Sequence, residues 1–560
     1  MWNIILVYFY TIAVVVSVLV DPLPRPQSIN WFGNTSITVD INQLQLNTNS
    51  SILNDAFSRT IAQVRRAKWS PYDYTNSTDP IIVVSSTLES HVIDIQVDDL
   101  DQDLQVGVDE SFELQINETQ IGISSGTIWG ALHALTTLTQ LLVYKGNNGH
   151  WICESSVHIK DYPQYQHRGL MIDSARNFLP VANVLEQIEI MSLCKMNVLH
   201  WHLVDSQSWP LLLESHPEMI RDAYSQGEIY TKDELKLVQD FARSRGVRVI
   251  PEIDMPGHAR AGWRQIDPNI VLCGNDWWGD VAVEPPPGQL NIMDLDTYKY
   301  ISDVYNELSN VFGDNFFHVG NDELQKNCFP SEWFNNATTL GDVVQHYIDR
   351  ALPLFNAIPG RKLMMWDDVL LSSDGAAHSL PSNVTLQVWH EQSGVKNLTL
   401  QGYEVVVSLS SHLYLDCGYG GWVTDDFRYV DSHENEEFNN GQGGSWCAPY
   451  KTWQRIYTFD IAQNLTREES KLVLGAEAVL FSEQVDFTVL TGKIWPRTSA
   501  LAESLWSGNK NAEGVFRLEE MTTRILLFRE FLVKAGHPAA PLVPKYCVMN
   551  PHACDLNKPK

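Results

Sequence analysis

Leu170-Met171-Ile172-Asp173-Ser174-Ala175-Arg176 is a short apolar run that ends in a carboxylate and, three residues later, a guanidinium. Residues 184–193 follow with a helical apolar pattern, and then comes a second apolar run, Asn197-Val198-Leu199. An apolar run, a helix-length segment and another apolar run make one strand–helix–strand unit of a parallel sheet covered on both faces. The unit recurs. Val247-Arg248-Val249-Ile250, Phe316-Phe317-His318-Val319, Leu363-Met364-Met365, Thr385-Leu386-Gln387-Val388, Val405-Val406-Val407 and Val473-Leu474-Gly475-Ala476 bring the strand runs to eight. Helical patterns over 232–245 and 298–312 intervene. Eight such repeats predict an α/β protein built on a (β/α)8 TIM barrel, here spanning 164–540.

Upstream the pattern is different. Ile81-Ile82-Val83-Val84, Ile93-Asp94-Ile95-Gln96-Val97 and Phe112-Glu113-Leu114-Gln115-Ile116 are short strand runs, the last two alternating, as strands with one buried face do. A helix is expected over 126–144, with Leu132, Leu135, Leu138 and Leu141 along one side. Residues 21–163 therefore read as a small α+β support domain without a catalytic cluster, bounded at Tyr162-Pro163.

The chain of 560 residues carries 39 Lys and Arg against 68 Asp and Glu, a net charge of -29. That field repels phosphate backbones, and with no basic patch to oppose it a nucleic-acid partner is excluded. Aromatic residues make up 10%, including 18 Trp. This is more indole than a core needs, and indole faces suit the apolar C–H faces of sugar rings.

Residues 4–20 contain no charge and stop at Asp21-Pro22-Leu23-Pro24. We read 1–20 as a signal peptide, with an uncleaved anchor as the alternative because the stretch approaches spanning length. Export is supported by eight Asn-x-Ser/Thr sequons, at Asn34, Asn49, Asn76, Asn117, Asn336, Asn383, Asn397 and Asn464, and by eight cysteines without a Cys-x-x-Cys pair. The expected location is secreted or extracellular, including periplasm or cell wall, with vacuole or lysosome as further destinations. No membrane association is expected once the signal is removed. Cys547 and Cys554 flank a short turn and are expected to bridge, closing the C-terminal tail 541–560. Cys194 ends an apolar helix and reads as a buried free thiol.

The ends of the eight strand runs carry the chemistry. In order they are Asp173 with Arg176, His202 with Asp205, Asp254 with His258, Asp322-Glu323, Trp366, Trp389, Tyr414 with Asp416, and Glu483. Barrel active sites are assembled at these ends. One such residue alone is packing or a helix cap; polar or aromatic groups at all eight converge on one mouth. Three readings compete. His200-Trp201-His202 places two imidazoles on one strand face, as in metal-dependent barrel amidohydrolases, though no further ligand cluster accompanies it. A Trp-lined mouth also suits a sugar-binding protein without turnover. Several carboxylates beside several indoles favour glycoside hydrolysis.

His167-Arg168-Gly169-Leu170-Met171-Ile172-Asp173-Ser174-Ala175-Arg176, His200-Trp201-His202-Leu203-Val204-Asp205, Pro251-Glu252-Ile253-Asp254-Met255-Pro256-Gly257-His258, His318-Val319-Gly320-Asn321-Asp322-Glu323 and Trp495-Pro496-Arg497 resemble, in the same order, the β-N-acetylhexosaminidases of glycoside hydrolase family 20. Gly130-Ala131-Leu132 with Gln140-Leu141 resembles that family's N-terminal domain. The resemblance implies a retaining exo-β-N-acetylhexosaminidase that removes terminal N-acetylglucosamine or N-acetylgalactosamine from chitooligosaccharides or glycoconjugates. It implies no metal and no cofactor, and the substrate's 2-acetamido oxygen as nucleophile. Glu323 would be the general acid and base, with a raised pKa, and Asp322 would stay ionised and orient the acetamide. Tyr414 would hold the acetamide oxygen, and His258 with Asp205 would tune Glu323. Arg176, Asp416 and Glu483 would bind sugar hydroxyls, and Trp366 and Trp389 would wall the pocket.

Two positions depart from the family pattern. Asn321 stands where Gly is usual, a tolerable change because Asn accepts left-handed backbone angles. Phe481 stands where a third Trp is usual and keeps an apolar wall with less area. The resemblance further implies a homodimer, bridges Cys273–Cys328 and Cys417–Cys447, and free Cys153 and Cys194.

Overall fold

The computed structural model describes residues 20–32, 35–71, 84–145, 150–334, 338–423, 446–550 and 553–556. Eight parallel strands close into a barrel in chain order: β1 (His167–Asp173), β2 (Val198–Val204), β3 (Arg248–Ile253), β4 (Phe316–His318), β5 (Lys362–Trp366), β6 (Thr385–Val388), β7 (Val405–Val407) and β8 (Val473–Leu480). All eight expected strands are present. β8 pairs with β1 through Leu170 opposite Ala478, which completes the ring. Nearly every strand residue is buried, because helices cover the outside and side chains fill the inside; continuous rather than alternating apolar runs follow from that.

The barrel interior is layered. Val198, Ile250, Phe316, Met364, Val406 and Leu474 form an apolar plug at the strand starts. Above it lies a polar layer containing His200, Glu252, His318, Gln387 and Glu477, all fully buried. Met171, Trp366, Tyr414 and Val479, with Trp389 and Phe481 against them, form a second apolar cluster at the strand ends.

Before the barrel, a six-stranded sheet in the order Ser28–Trp31, Val157–Asp161, Phe112–Ile116, Ile121–Thr127, Val92–Asp99, Gln45–Leu46 stands beside a four-stranded one. Helix Ile128–Leu141 is buried along almost its whole length and touches barrel helix Val181–Leu193. It is shorter than the expected 126–144. Gly126 and Thr127 finish the preceding strand, where the Thr127 hydroxyl caps the backbone N–H groups of Trp129 and Gly130, and Val143–Lys145 is again a strand. Of the run at 81–84, residues 81–83 lie outside the described residues and Val84 opens the strand Val84–Thr87.

Between the sheets and the barrel sits a buried ionic cluster. Arg168 donates to Glu110 at 2.6 and 3.0 Å, and Glu110 also receives His133 at 2.9 Å and Asn197 at 3.1 Å. Lys195 reaches Asp161 at 2.6 Å, and Asp161 also accepts from the Trp506 indole at 2.8 Å. Burial opposes the Glu110 charge, yet the Arg168 guanidinium and His133 hold its carboxyl down to about 2.

Cys273–Cys328, Cys417–Cys447 and Cys547–Cys554 are bridged, and Cys153 and Cys194 are free and buried. No helix among the described residues is long and apolar enough to cross a membrane; residues 1–19, which hold nearly all of the apolar stretch 4–20, are not among them.

Candidate active site

The loops that leave β3 and β4 are bent by residues with left-handed backbone angles: His258 at φ 48°, Gly320 at 66°, Asn321 at 77° and Glu323 at 51°. Gly320 has no substitute here, since a Cβ would fall 1.7 Å from Asp254 Oδ1. Asn321 takes the positive φ expected of it, and its backbone N–H donates to Asp254 at 3.2 Å. These bends place Asp322 and Glu323 at the barrel mouth.

His258 links the two loops. Its Nε2 lies 3.2 Å from Glu323 Oε2 and 4.0 Å from Asp322 Oδ2, while its Nδ1 lies 3.2 Å from Asp205 Oδ1. Burial alone would lower this imidazole; the Asp205 charge and hydrogen bond, with Glu323 and Asp322, raise it well above its ordinary value. Asp205 is fully buried and held far below the usual carboxylate range: burial works against its charge, but Arg176 at 2.9 Å, His258 and His202 outweigh it. Glu323 keeps 30% of its side chain exposed, so it alone of this trio meets solvent freely.

The Asp322 carboxyl is pushed up to about 7, first by burial and then by the nearby Asp368 and Glu323 carboxylates against the opposing pull of His258. Its Oδ1 is buried without a hydrogen-bond partner among the described residues. A buried acceptor left open in this way is costly unless something else fills it.

The remaining expected residues converge on the same mouth. Tyr414 is fixed by a backbone bridge to Val479 of β8, with the Leu415 N–H donating to the Val479 carbonyl at 2.7 Å. Its ring stacks 6.3 Å from Trp389 and meets Phe481 edge-on at 5.6 Å. The Trp366 indole donates to Glu252 at 2.8 Å, and the Trp389 indole to Asp368 at 2.7 Å. Asp416 accepts from the Phe481 N–H at 3.4 Å, and burial pushes it up to about 7. Glu483 is raised well above the carboxylate range by burial and by Glu284 in spite of Arg176. Arg497, from the Trp-Pro-Arg motif, donates to the carbonyls of Leu415 and Lys451 and so braces the loop that carries Tyr414 and Asp416.

Some participants escape the sequence reading. Glu284 clamps Arg176 at 2.7 and 3.1 Å from a Pro-rich loop that offers no periodic signal. Trp446 stands edge-on to both Trp389 and Tyr414 at 5.8 and 6.1 Å, beside a bridged cysteine and 55% exposed. Glu252, inside the Pro251–His258 motif, accepts from the Trp366 indole and faces His200 and His202. A cavity of about 160 Å³ opens beside Glu323, lined also by Leu324, Gln325, Asp368, Trp389 and His390. His200 and His202 do share the inner face, and each faces carboxylates: Glu477 and Glu252 for His200, Glu252 and Asp205 for His202.

Residues 165–509 match the model of the glycosyl hydrolase family 20 catalytic domain, and residues 22–141 match one described as β-acetyl hexosaminidase like. A β-hexosaminidase of Emericella nidulans is 45% identical, over 97% of this chain and 96% of its own. β-Hexosaminidase 1 of Coccidioides posadasii is also 45% identical, over 96% of each chain. Among solved structures, a family 20 exo-β-N-acetylglucosaminidase from Vibrio harveyi in complex with N-acetylglucosamine superposes with a TM-score of 0.70 at 21% identity, over 95% of this chain and 81% of that one.

Proposed function

The chain belongs to glycosyl hydrolase family 20 and is an exo-β-N-acetylhexosaminidase acting on a carbohydrate substrate; from that premise we propose how its own residues divide the work. The amidohydrolase and binding-only readings find no support beside it. The terminal sugar sits with its 2-acetamido group between Asp322 and Tyr414, walled by Trp366 and Trp389. Phe481 completes the wall, and Arg176, Asp416 and Glu483 take the ring hydroxyls.

The acetamido oxygen forms a bond to C1 while the C1–oxygen bond to the leaving group breaks, and Glu323 gives its proton to the departing oxygen. Water then attacks C1 of the oxazolinium and yields its proton to Glu323 while the C1–acetamido oxygen bond breaks and the acetamide is restored, so that two inversions give retention. Tyr414 holds the nucleophile in attacking position, which replaces entropy the free reaction would lose. Asp322 accepts the acetamido N–H and faces the positive charge that develops on the ring.

The open Oδ1 of Asp322 is the observation that supports this reading. An arriving acetamido N–H supplies its missing partner, and the growing cation draws the carboxyl toward its charged form as the reaction proceeds. Paired aryl β-glycosides that differ only at C2 test it. The N-acetylglucosaminide should turn over and the glucoside should not. Comparable rates on both would sink the neighbouring-group route.

The same reading extends to a terminal GlcNAc or GalNAc on chitooligosaccharides or glycoconjugates, a division into support domain 21–163, barrel 164–540 and tail 541–560, and a secreted homodimer. Secretion is supported by three bridges and by exposed sequon asparagines at Asn49, Asn383, Asn397 and Asn464. Intact mass before and after deglycosylation, and light scattering of the purified chain, test these parts.

A further inference from the structure

Below His258 the acid–imidazole alternation does not stop at Asp205. Asp205 Oδ2 meets His202 Nε2 at 3.1 Å, and His202 Nδ1 meets Glu252 Oε2 at 2.7 Å. Glu252 Oε2 lies 3.0 Å from His200 Nε2, an ion contact rather than an aligned hydrogen bond. His200 Nδ1 meets Glu477 Oε2 at 2.9 Å, and Glu477 Oε1 meets His167 Nε2 at 2.6 Å. From Glu323 the sequence is carboxylate, imidazole, carboxylate, imidazole, carboxylate, imidazole, carboxylate, imidazole. It descends through the polar layer to the first residue of β1. From Asp205 down, the chain is almost wholly shut off from solvent.

The layer is shaped for this chain. Gly169 leaves the space that Glu477 occupies, since a Cβ there would come 2.4 Å from Glu477 Cγ. Gln387 donates to Glu477 at 3.0 Å, and Glu252 also receives the Trp366 indole. A barrel core filled for packing alone uses branched apolar residues. Here two carboxylates and four imidazoles take their place: Glu252 serves His200, His202 and His318, and Glu477 serves His167 and His200.

We propose that His202, Glu252, His200, Glu477 and His167 form a buried electrostatic relay whose members are positioning residues for His258, fixing its charge and orientation toward Glu323 from the far end of the barrel. This rests on the role assigned above to Glu323. The charges alternate: burial opposes the cation on His200, but Glu477 and Glu252 push it up to about 9, and His202 is raised well above its ordinary value against the same burial. His167, the terminus, is lowered by burial. A change at one end therefore leaves a charge unbalanced at the next link in a medium that screens it weakly. Other groups face the relay: Arg248 beside His167, His318 on Glu252 at 3.0 Å, Asp173 beside His202, Arg176 on Asp205, and Asp254 and Asp322 beside His258. Of these, Arg176 touches two successive links, at 2.9 Å from Asp205 Oδ2 and 3.2 Å from His202 Nε2.

The test follows imidazole nitrogen-15 signals of the intact chain through a pH titration, alongside the pH profile of kcat/KM on a chromogenic N-acetylglucosaminide. In Glu477→Gln, His200 should lose its proton at lower pH. The His258 midpoint and the limbs of the kcat/KM profile should move by about half a unit or more, roughly a threefold change in proton affinity. His167→Gln, a milder change that keeps the test alive if the first variant does not fold, should move them less but measurably. Glu110→Gln, in the junction cluster, should lower the melting temperature and leave the His258 midpoint in place. An unmoved midpoint in both relay variants overturns the proposal. The nitrogen signals are read in the resting protein, so an absence of wild-type turnover would count against the catalytic reading and not against the relay.

Discussion

Arg168 and Arg176 belong to one stretch of chain, yet the two ends of β1 solve opposite problems. At the junction end Arg168 spends its donors on Glu110, the Lys195 carbonyl and the Tyr165 carbonyl, over the Trp506 ring at 4.9 Å. Each Glu110 oxygen has two donors, and nearby Lys195 is matched by Asp161. At the mouth Arg176 sits over Phe481 at 5.1 Å among Asp173, Asp205 and Glu284, with Glu483 close behind and Asp416 beside Glu483. There acid outnumbers base. The balanced cluster holds its carboxyl down to about 2; at the mouth burial pushes Asp416 up to about 7, and burial, followed by the Asp368 and Glu323 carboxylates, does the same to Asp322. Buried charge that is fully matched gives a joint, and burial that outweighs its partners gives groups that can hold or release a proton near neutral pH.

The sharpest way to break this contrast is Glu323→Gln. If the mouth is chemistry rather than structure, kcat should fall by about 10³-fold or more while the melting temperature stays within a degree or two, since the side chain is part exposed. Glu110→Ala is the converse. Leaving the Arg168 guanidinium buried and unpaired should cost about 3–5 kcal/mol in denaturant unfolding, with turnover per folded molecule unchanged. A Glu110 variant that unfolds normally but loses kcat would show that the junction reaches the chemistry.

How much of this the chain announces depends on who the partner is. The eight strands are legible because burial on both faces demands continuous apolar runs, and the loop positions of Asp322, Glu323, His258 and Tyr414 follow from where those runs stop. The 126–144 helix reads too long because Leu spacing continues through Leu141 and Leu142, while the Thr127 cap and the extended Leu142 backbone that end it are local events. Glu284 is illegible: Val-Ala-Val-Glu-Pro-Pro-Pro has no period, and only its contact with Arg176 gives it a role. Glu252 and Glu477 sit within strands and look like exceptions in an apolar run. Their meaning lies in imidazoles from other strands, which no local pattern reveals.

The two clusters should also titrate in opposite senses. Glu110 is lower in the folded state than its ordinary 4.5, so its contribution is complete above that value and is lost as pH falls toward 2. Asp322 is higher in the folded state than its ordinary 3.8, so the folded chain binds the extra proton and stability falls as pH rises from about 4 through 7. Asp322→Asn should therefore stabilise the protein at pH 8, by on the order of 2 kcal/mol, and change little at pH 4. Turnover should fall by about 10²-fold as the acetamide loses its orienting acceptor. Chemical denaturation at the two pH values reads the first effect and steady-state kinetics the second. A variant that is less stable at pH 8 would mean that the Asp322 charge is compensated after all.

The smallest effect concerns the rings beneath the two arginines. Phe481 lies under the Arg176 guanidinium much as Trp506 lies under that of Arg168. Arg176 is already fixed by Asp205 and Glu284, so the ring adds a face rather than an anchor. Phe481→Leu removes that face and part of the pocket wall, a loss of about 0.5–1 kcal/mol. Michaelis constants for an aryl N-acetylglucosaminide should rise by about two- to fivefold with kcat near wild type, the pattern of uniform binding lost. If kcat falls and KM stays, the ring bears on the transition state itself. The mouth would then use its aromatic wall in the reaction, whereas the junction uses Trp506 to cover the Arg168 charge and to hold Asp161 through its indole N–H.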